Sequence, residues 1–408
     1  MVSLRRHITR IPRSVMLLWT GHIISHAGDA IYQIALPWLI LELTGSKTTT
    51  SLVAVSAYLP AVLFSLPAGV VVDRFDRRRV MITSDAARMV LVGLLVAFLL
   101  SGGTSPAMIG AIAFSVATFA TLFYPARDAL IPDLVPREQL TSSNAFISTS
   151  GQLAHLAGPV LAASLVTLVG ITHLFTIDAV SFGASMVAVA LITRIAPGKG
   201  LEKEKPRPLE DLQGGIRYAV TEKSLGLLVL LTAVNNLFIM GPAMIGTPIF
   251  VREVLRLNFA AFATVEAYMA AGMLAGSFLV WRFFREINPS LVLFLGMIVD
   301  GLTYSLLYAV HTYPATKILL LIHGTGIPMI TISRTTLIQT VVPYELRGRV
   351  FSMVNMSVIG FTALSSGLVG PVAEVIPIST VFLIIGLGAA LCGVVGLNHR
   401  GMMNLGKS

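Results

Sequence analysis

Gly69-Val70-Val71-Val72-Asp73-Arg74-Phe75-Asp76-Arg77-Arg78-Arg79 is the stretch that decides how this chain folds. It separates two long apolar runs, one ending Tyr58-Leu-Pro-Ala-Val-Leu-Phe-Ser-Leu-Pro-Ala-Gly69 and the other running from Met89 to Leu100. Its arginines and aspartates cannot lie in hydrocarbon, where a single charge costs about 3 kcal/mol or more. The stretch is therefore read as a tight loop at a membrane surface. Its positive balance puts it on the cytoplasmic side, and that assignment orients every other segment.

The rest of the composition agrees. Only 12% of the 408 residues are charged, 55% are apolar, and the mean hydropathy is +0.82. Soluble domains carry roughly 25% charged residues. Recurrent apolar runs of membrane-spanning length predict an all-α polytopic membrane protein. A β-barrel would show short segments of alternating polarity instead. The net charge of +9 does not point to nucleic acid, because the basic residues flank the apolar runs and serve topology. The single cysteine, Cys392, rules out an internal disulfide and hints at no metal cluster. Arg5, Arg6, Arg10 and Arg13 precede an apolar stretch too long for a signal peptide, so it is read as a retained first span.

Twelve spans are expected, near 15–43, 50–71, 80–101, 105–125, 142–169, 172–193, 225–250, 260–281, 290–310, 314–334, 350–370 and 377–397. With both termini cytoplasmic, the outer side receives only Lys47, Arg252, Arg256 and Lys317, and Arg88 falls within a span. All other members of the 29 Lys and Arg lie inside. The hydrophilic stretch 194–223 reads as a cytoplasmic linker, with a short surface helix near 209–219. It divides the chain into an N-terminal six-helix bundle (1–193) and a C-terminal bundle with a short tail (224–408). The halves are pseudo-symmetric. Arg127, Leu130, Ile131, Val135, Pro136 and Glu138 recur as Arg334, Leu337, Ile338, Val342, Pro343 and Glu345 at one constant offset. Gly158-Pro159 recurs as Gly370-Pro371. Parallel repeats of this kind belong to alternating-access transporters.

On these residues the chain resembles the major facilitator superfamily. Gly69, Asp73, Arg74, Arg77 and Arg78 match its Gly-x-Leu-Ala-Asp-Arg-x-Gly-Arg-Arg loop, with Asp76 in place of the second glycine, a residue that also suits turns. Within the superfamily the chain is similar to the branch of macrolide-type efflux proteins and enterobactin-type siderophore exporters. That similarity is carried by Gly28-Asp29, Ile34-Ala-Leu-Pro-Trp38, Leu130-Ile-Pro-Asp-Leu-Val-Pro136 and Leu346-Arg-Gly-Arg-Val-Phe351. The antiporter signature Gly-Pro-x-x-Gly-Gly appears as Gly158-Pro159-Val-Leu-Ala162-Ala163, and the span-four arginine of many proton-coupled antiporters is absent. The resemblance implies export of a small amphiphilic molecule, a drug, macrolide or siderophore-like compound, in exchange for protons.

The first span carries His22, Ser25, His26, Asp29, Tyr32 and Gln33 at steps of three and four, one polar stripe on an apolar rod. A carboxylate at bilayer depth needs a partner or a wet cavity, so the stripe is expected to face the central cavity. Asp29 is the leading proton-coupling candidate and Glu266 the second. His22, His26, Tyr32, Gln33, Asn235 and Asn236 are the substrate-cavity candidates, the last lying opposite Asp29 at the repeat offset. Asp85 and Arg88, three apart, are expected to neutralise each other. Asp178 and Asp300 also fall within spans, near headgroups if the span boundaries shift, and are assigned no role; His155 and His323 are read as core contacts. Gly69, Asp73, Arg74, Arg77, Arg78 and Asp128 form a cytoplasmic gate. Asp73 is expected to meet the N-terminal end of a second-half helix, and Arg77 or Arg78 to pair with Asp128 or Asp133. Gly158 and Pro159 are read as a kink site, with Gly241-Pro242 and Gly326-Ile-Pro328 as further points of flexure.

No phosphate loop and no hydrolase or zinc-protease motif occurs, so ATP, other cofactors and catalysis are not implied. The expected partners are a small-molecule substrate, protons and the lipid bilayer of a cell membrane, with the protein a monomer. Translocation of a lipid or lysolipid by the same fold is the alternative.

Overall fold

The computed structural model describes residues 13–135, 139–192, 214, 217, 218, 221–284 and 286–405. Arg5, Arg6, Arg10, Arg137, most of the 194–223 linker with its surface helix, and the last residues of the tail lie outside the described residues, as does the His155 side chain.

Hydrocarbon offers a backbone amide no partner, so apolar runs of this length close their hydrogen bonds within helices. The first group comprises α1 (Arg13–Thr44), α2 (Lys47–Arg74), α3 (Arg77–Leu100), α4 (Pro106–Leu134) and α5 (Leu140–Ala190). In the second group α6 (Lys223–Gly241) passes through a π-helical turn, Pro242–Gly246, into α7 (Thr247–Glu253). Then follow α8 (Phe259–Leu279), α9 (Pro289–Leu306), α10 (Tyr313–Val341), α11 (Tyr344–Val375), α12 (Ile378–Asn398) and the short α13 (Arg400–Met403). No strand occurs among the described residues.

Among the described residues ten helices are long and apolar enough to cross a membrane. α1 falls outside that set because its polar stripe dilutes its hydropathy. α5, at 51 residues, would be about 76 Å long if straight. Gly170 breaks it with φ 76° and ψ 166°, a conformation that a Cβ would oppose. The two arms run oppositely along α1. Gly151 lies against His22 and Gly158 against Ala30, whereas Ser181 lies against Gly28 and Ser185 against Gly21. The chain thus doubles back at one glycine without a loop.

Within the first group α1 packs on α5, α2 on α4, and α3 on both α4 and α5. Within the second, α9 packs on α10 and α12, α8 on α10, and α6 on α11 and α12. The groups meet along α2 with α11 and α5 with α8. Large apolar side chains left exposed, among them Leu52, Leu94, Leu168, Val180, Leu230, Trp281, Ile318 and Leu391, face outward, as lipid-facing positions do.

Two expectations are corrected. The 69–79 loop is nearly all helix: α2 continues through Arg74 and α3 begins at Arg77, leaving Phe75 and Asp76 as the turn. The turn is this short because Asp76 caps α3, accepting from the Arg79 amide at 2.8 Å. The repeated stretches at 127–134 and 334–341 are likewise the ends of α4 and α10 and not loops that follow them. Each helix outruns its apolar segment and carries charged residues in its final turns.

Candidate functional site

The stripe on α1 is where the first group concentrates its charge. Asp29 receives the Tyr124 hydroxyl of α4 at 3.3 Å and lies 3.5 Å from the guanidinium of Arg88 on α3. Arg88 also donates to Asp85, one turn earlier on the same helix. Its side chain is 1% exposed, and its guanidinium is sandwiched by the rings of Phe123 and Phe182, whose centroids lie at 4.6 and 4.2 Å. Asp178, fully buried on the second arm of α5, comes against α1 at Gly28, where an added Cβ would stand 2.7 Å from its carboxylate, and it interacts electrostatically with Arg88. Cation–π stacking stabilises such a desolvated guanidinium by about 2 kcal/mol. Three carboxylates therefore surround one arginine at the heart of the first group.

A second layer sits one to two turns earlier on α1. His22 and His26 stack with centroids 5.1 Å apart. The Arg127 guanidinium lies 3.0 Å from His22 Nε2, and arginine can only donate, so that nitrogen is the acceptor of a neutral ring. Arg127 also covers the Tyr124 ring at 5.2 Å, and the Tyr124 hydroxyl lies 3.4 Å from His26 Nδ1. A continuous polar cluster runs from Arg127 through the histidines and Tyr124 to Asp29 and Arg88.

Between the two groups lies a cavity of about 260 Å³. α1 contributes Tyr32 and Gln33, and α2 contributes Tyr58. Pro159 of α5, Glu266 of α8 and His323 of α10 complete its polar or kinked wall, and the remainder is mainly aliphatic and methionine. Gly158 lets α5 close on Ala30 of α1 directly beside this wall. Tyr32 packs edge-on against Phe175. His22, His26, Asn235 and Asn236 do not line the cavity. The histidines belong to the Arg127 layer, and Asn235 donates to Asp300 at 3.1 Å inside the second group. The stripe on α1 wraps far enough round the helix that only its last turn faces the cavity.

One end of the cavity is latched. The Glu374 carboxylate of α11 accepts from the Lys47 and Thr48 amides at 2.9 and 3.3 Å and from the Ser46 hydroxyl at 3.3 Å, serving the open N-terminus of α2. Lys47 Nζ pairs with Glu253 at 2.8 Å and donates to the Ala373 carbonyl at 3.0 Å. Arg252 donates to the Leu41 carbonyl, and the Gly370 amide donates to Ser51 Oγ at 2.8 Å. Gly370 lies so close to the Lys47 carbonyl that no side chain fits. Overpacking costs about 1–3 kcal/mol, so Gly370→Leu is expected to raise the open population of this end about tenfold or more. A Thr48→Cys probe in a Cys392→Ala background should then react correspondingly faster with an impermeant maleimide; an unchanged rate would contradict the latch.

At the opposite end lies the arginine-rich turn, whose ion pairs and hydrogen bonds among the described residues stay within the first group. Asp73 and Arg74 are exposed, and Gly69, Gly348 and Gly360 face open space. Arg77 pairs with Asp133 at 2.6 Å and donates to the Ala129 carbonyl at 3.0 Å; Arg78 donates to the carbonyls of Val189, at 3.0 Å, and Ala190. These contacts staple α3 to α4 and α5 within the first group. Asp128 pairs with its neighbour Arg127 at 2.7 Å and not with Arg77 or Arg78. Asp73 meets no second-group helix end among the described residues; that contact requires this end to be shut.

Sequence reading missed the size of the Arg88 cluster and gave Asp178 and Asp300 no role, whereas they are buried at 0% and 2% exposure among polar partners. It also took His323 as solitary, but its Nδ1 lies 3.1 Å from Asp300. The available signal was that each of these charges sits within an unbroken apolar run, where only a partner from another helix makes it tolerable.

Comparison with known proteins supplies the family. Residues 18–364 match the family model of the Major Facilitator Superfamily. The chain is 27% identical to macrolide efflux protein A of Streptococcus pyogenes over 344 residues, covering 82% of this chain and 83% of that protein. It is 26% identical to the multidrug efflux pump Tap of Mycobacterium tuberculosis over 409 residues, covering 98% and 96%. Among solved structures it resembles the nucleoside transporter NupG, with a TM-score of 0.75, 13% identity and coverage of 94% and 98%. It also resembles a bacterial homolog of the human lysosomal transporter Spinster in an inward-facing, unoccupied conformation, with a TM-score of 0.71, 12% identity and coverage of 94% of each chain.

Proposed function

Because the chain belongs to the Major Facilitator Superfamily, whose members are transporters and not enzymes, we propose that it is a secondary active exporter of small amphiphilic molecules, of the drug or macrolide kind, driven by exchange for protons. The observation that carries this reading is the apolar cavity between two helix groups that are latched across one end, while the arginine-rich turn at the other end makes its contacts within one group. A site reachable from one side at a time is what alternating access requires. The efflux proteins of similar sequence support the direction of transport.

In this reading the chain spans a cell membrane twelve times, with α1 as the first span and the two arms of α5 as the fifth and sixth. The arginine-rich turn faces the cytoplasm with both termini, and the protein works as a monomer. The cavity is then open to the cytoplasm and closed by the Glu374–Lys47 latch outside. When the halves rock, the latch parts and Asp73 and Arg74 close the inner end. Asp29 exchanges the coupling proton. Its side chain is 16% exposed, against 1% and 0% for Arg88 and Asp85, so within the cluster it is the group nearest water.

Inverted vesicles test the reading. With an inward-acid pH gradient, the protein is expected to accumulate a macrolide inside the vesicle, and the accumulation should collapse when a protonophore dissipates the gradient. Movement of a fluorescent phospholipid between leaflets at the same rate with and without the gradient, in place of macrolide accumulation, would establish lipid translocation instead.

A further inference from the structure

The cavity wall carries acceptors that nothing among the described residues satisfies. Glu266 on α8 is 6% exposed, and its Oε1 has no hydrogen-bond donor. No Lys or Arg among the described residues forms an ion pair with it. His323 on α10 is 1% exposed, with Nδ1 3.2 Å from Thr303 Oγ1 and 3.1 Å from Asp300 Oδ1. The single Thr303 hydroxyl proton is engaged by backbone, with the carbonyls of Val299, at 2.7 Å, and Asp300, at 3.0 Å, as its acceptors. The hydroxyl oxygen is left to accept, so the histidine proton sits on Nδ1. Nε2 is then a bare lone pair, buried and without a partner. α8 and α10 are pressed together at Gly272 and Gly324, so these two acceptors come from adjoining helices.

A buried polar group without a partner costs about 1–3 kcal/mol, more when charged. It persists in a binding cavity when a ligand completes it. Two acceptors and no lysine or arginine in the wall define the complement: a cation that brings its own N–H donors. Met240, Met244, Met269 and Met273, soft and adaptable, shape the rest of the wall for a hydrocarbon body. The Tyr32 hydroxyl, buried and also unpartnered, is neutral and serves as a further contact of either sense.

We propose that the central cavity is a site for hydrophobic primary or secondary amines in their protonated form, with the ammonium group held by Glu266 and the Nε2 atom of His323. The Asp300–Thr303 pair positions His323 by fixing its tautomer. This rests on the export reading and narrows its substrate to cations with N–H donors.

Three probes sharing one hydrocarbon cage test it on the purified full-length protein by calorimetric titration: adamantan-1-amine, its N,N,N-trimethyl derivative and adamantane-1-carboxylate. The amine is expected to bind about tenfold or more tightly than either of the others, since charge-assisted hydrogen bonds are the difference. Glu266→Gln and His323→Gln are each expected to weaken the amine about tenfold, with the Glu266→Gln protein no longer discriminating amine from carboxylate. Unchanged melting temperatures show that the variants fold, and Glu266→Asp, with intermediate affinity, replaces Glu266→Gln if that variant does not. Equal binding of amine and carboxylate, or full amine affinity in either glutamine variant, overturns the proposal. Gradient-driven export of a neutral macrolide with no amine binding overturns it while leaving the export reading intact; amine binding with no gradient-driven export of any compound does the reverse.

Discussion

Arg88→Leu is expected to leave little folded protein. The substitution removes the one positive charge among Asp29, Asp85 and Asp178 and the plate that fills the gap between Phe123 and Phe182. Breaking a buried ion pair by deleting one partner costs about 3–5 kcal/mol, because the other partner stays charged and unpaired. Here at least two carboxylates lose their counter-ion, and the lost cation–π contact adds about 2 kcal/mol. That total is a large share of the roughly 5–15 kcal/mol that separates a folded domain from its unfolded chain. The check is the yield of monodisperse protein after detergent extraction, together with its melting temperature. Arg88→Lys should recover only part of the stability, since an ammonium neither forks onto a carboxylate nor stacks flat between two rings. Arg88→Leu combined with Asp85→Leu and Asp29→Asn should recover more, because it removes charges that the single variant strands. A single variant that extracts and melts like the natural protein would show that Arg88 is not the keystone of the first group.

Asp29→Asn is expected to have the opposite profile: intact folding and binding with proton-driven transport abolished. Asparagine keeps the shape of the side chain and can still accept from Tyr124, but it carries no titratable proton. Losing a group that transfers a proton typically slows a reaction by about a hundredfold or more. The partial exposure of Asp29 sets it apart from Asp85, whose carboxylate is sealed against Arg88. Asp85→Asn should therefore lower the melting temperature, and Asp29→Asn should lower the gradient-dependent rate. The two readouts separate a structural carboxylate from a coupling one. Full gradient-driven transport by Asp29→Asn would remove Asp29 from the mechanism and leave the fold argument untouched.

Much of the architecture is legible in the chain. Apolar runs of bilayer length predict helices wherever they occur, and the structure supplies them with shifted ends. Asp76 is read as a turn residue and proves to be a helix cap. The shift arises because hydropathy marks where a helix leaves hydrocarbon, whereas hydrogen bonding decides where it stops. Around the candidate site, local spacing performs unevenly. The i,i+3 step from Asp85 to Arg88 is recoverable from sequence, and the pair exists. The step from Arg88 to Asp29 is not, since it joins α1 to α3 across the group. The same limit hides Asn235 and His323 meeting Asp300.

The amino-acid sequence alone determines that this chain is a helical membrane protein of the facilitator type, because the cost of placing charge or unpaired backbone in hydrocarbon acts residue by residue. Which polar side of α1 faces the cavity, which arginine gathers the carboxylates, and which end of the bundle is latched were decided only by the tertiary structure. Those outcomes depend on the rotation of each helix about its own axis and on partners hundreds of residues away, as with Glu374 and Lys47. A one-dimensional pattern carries the first kind of energy and not the second.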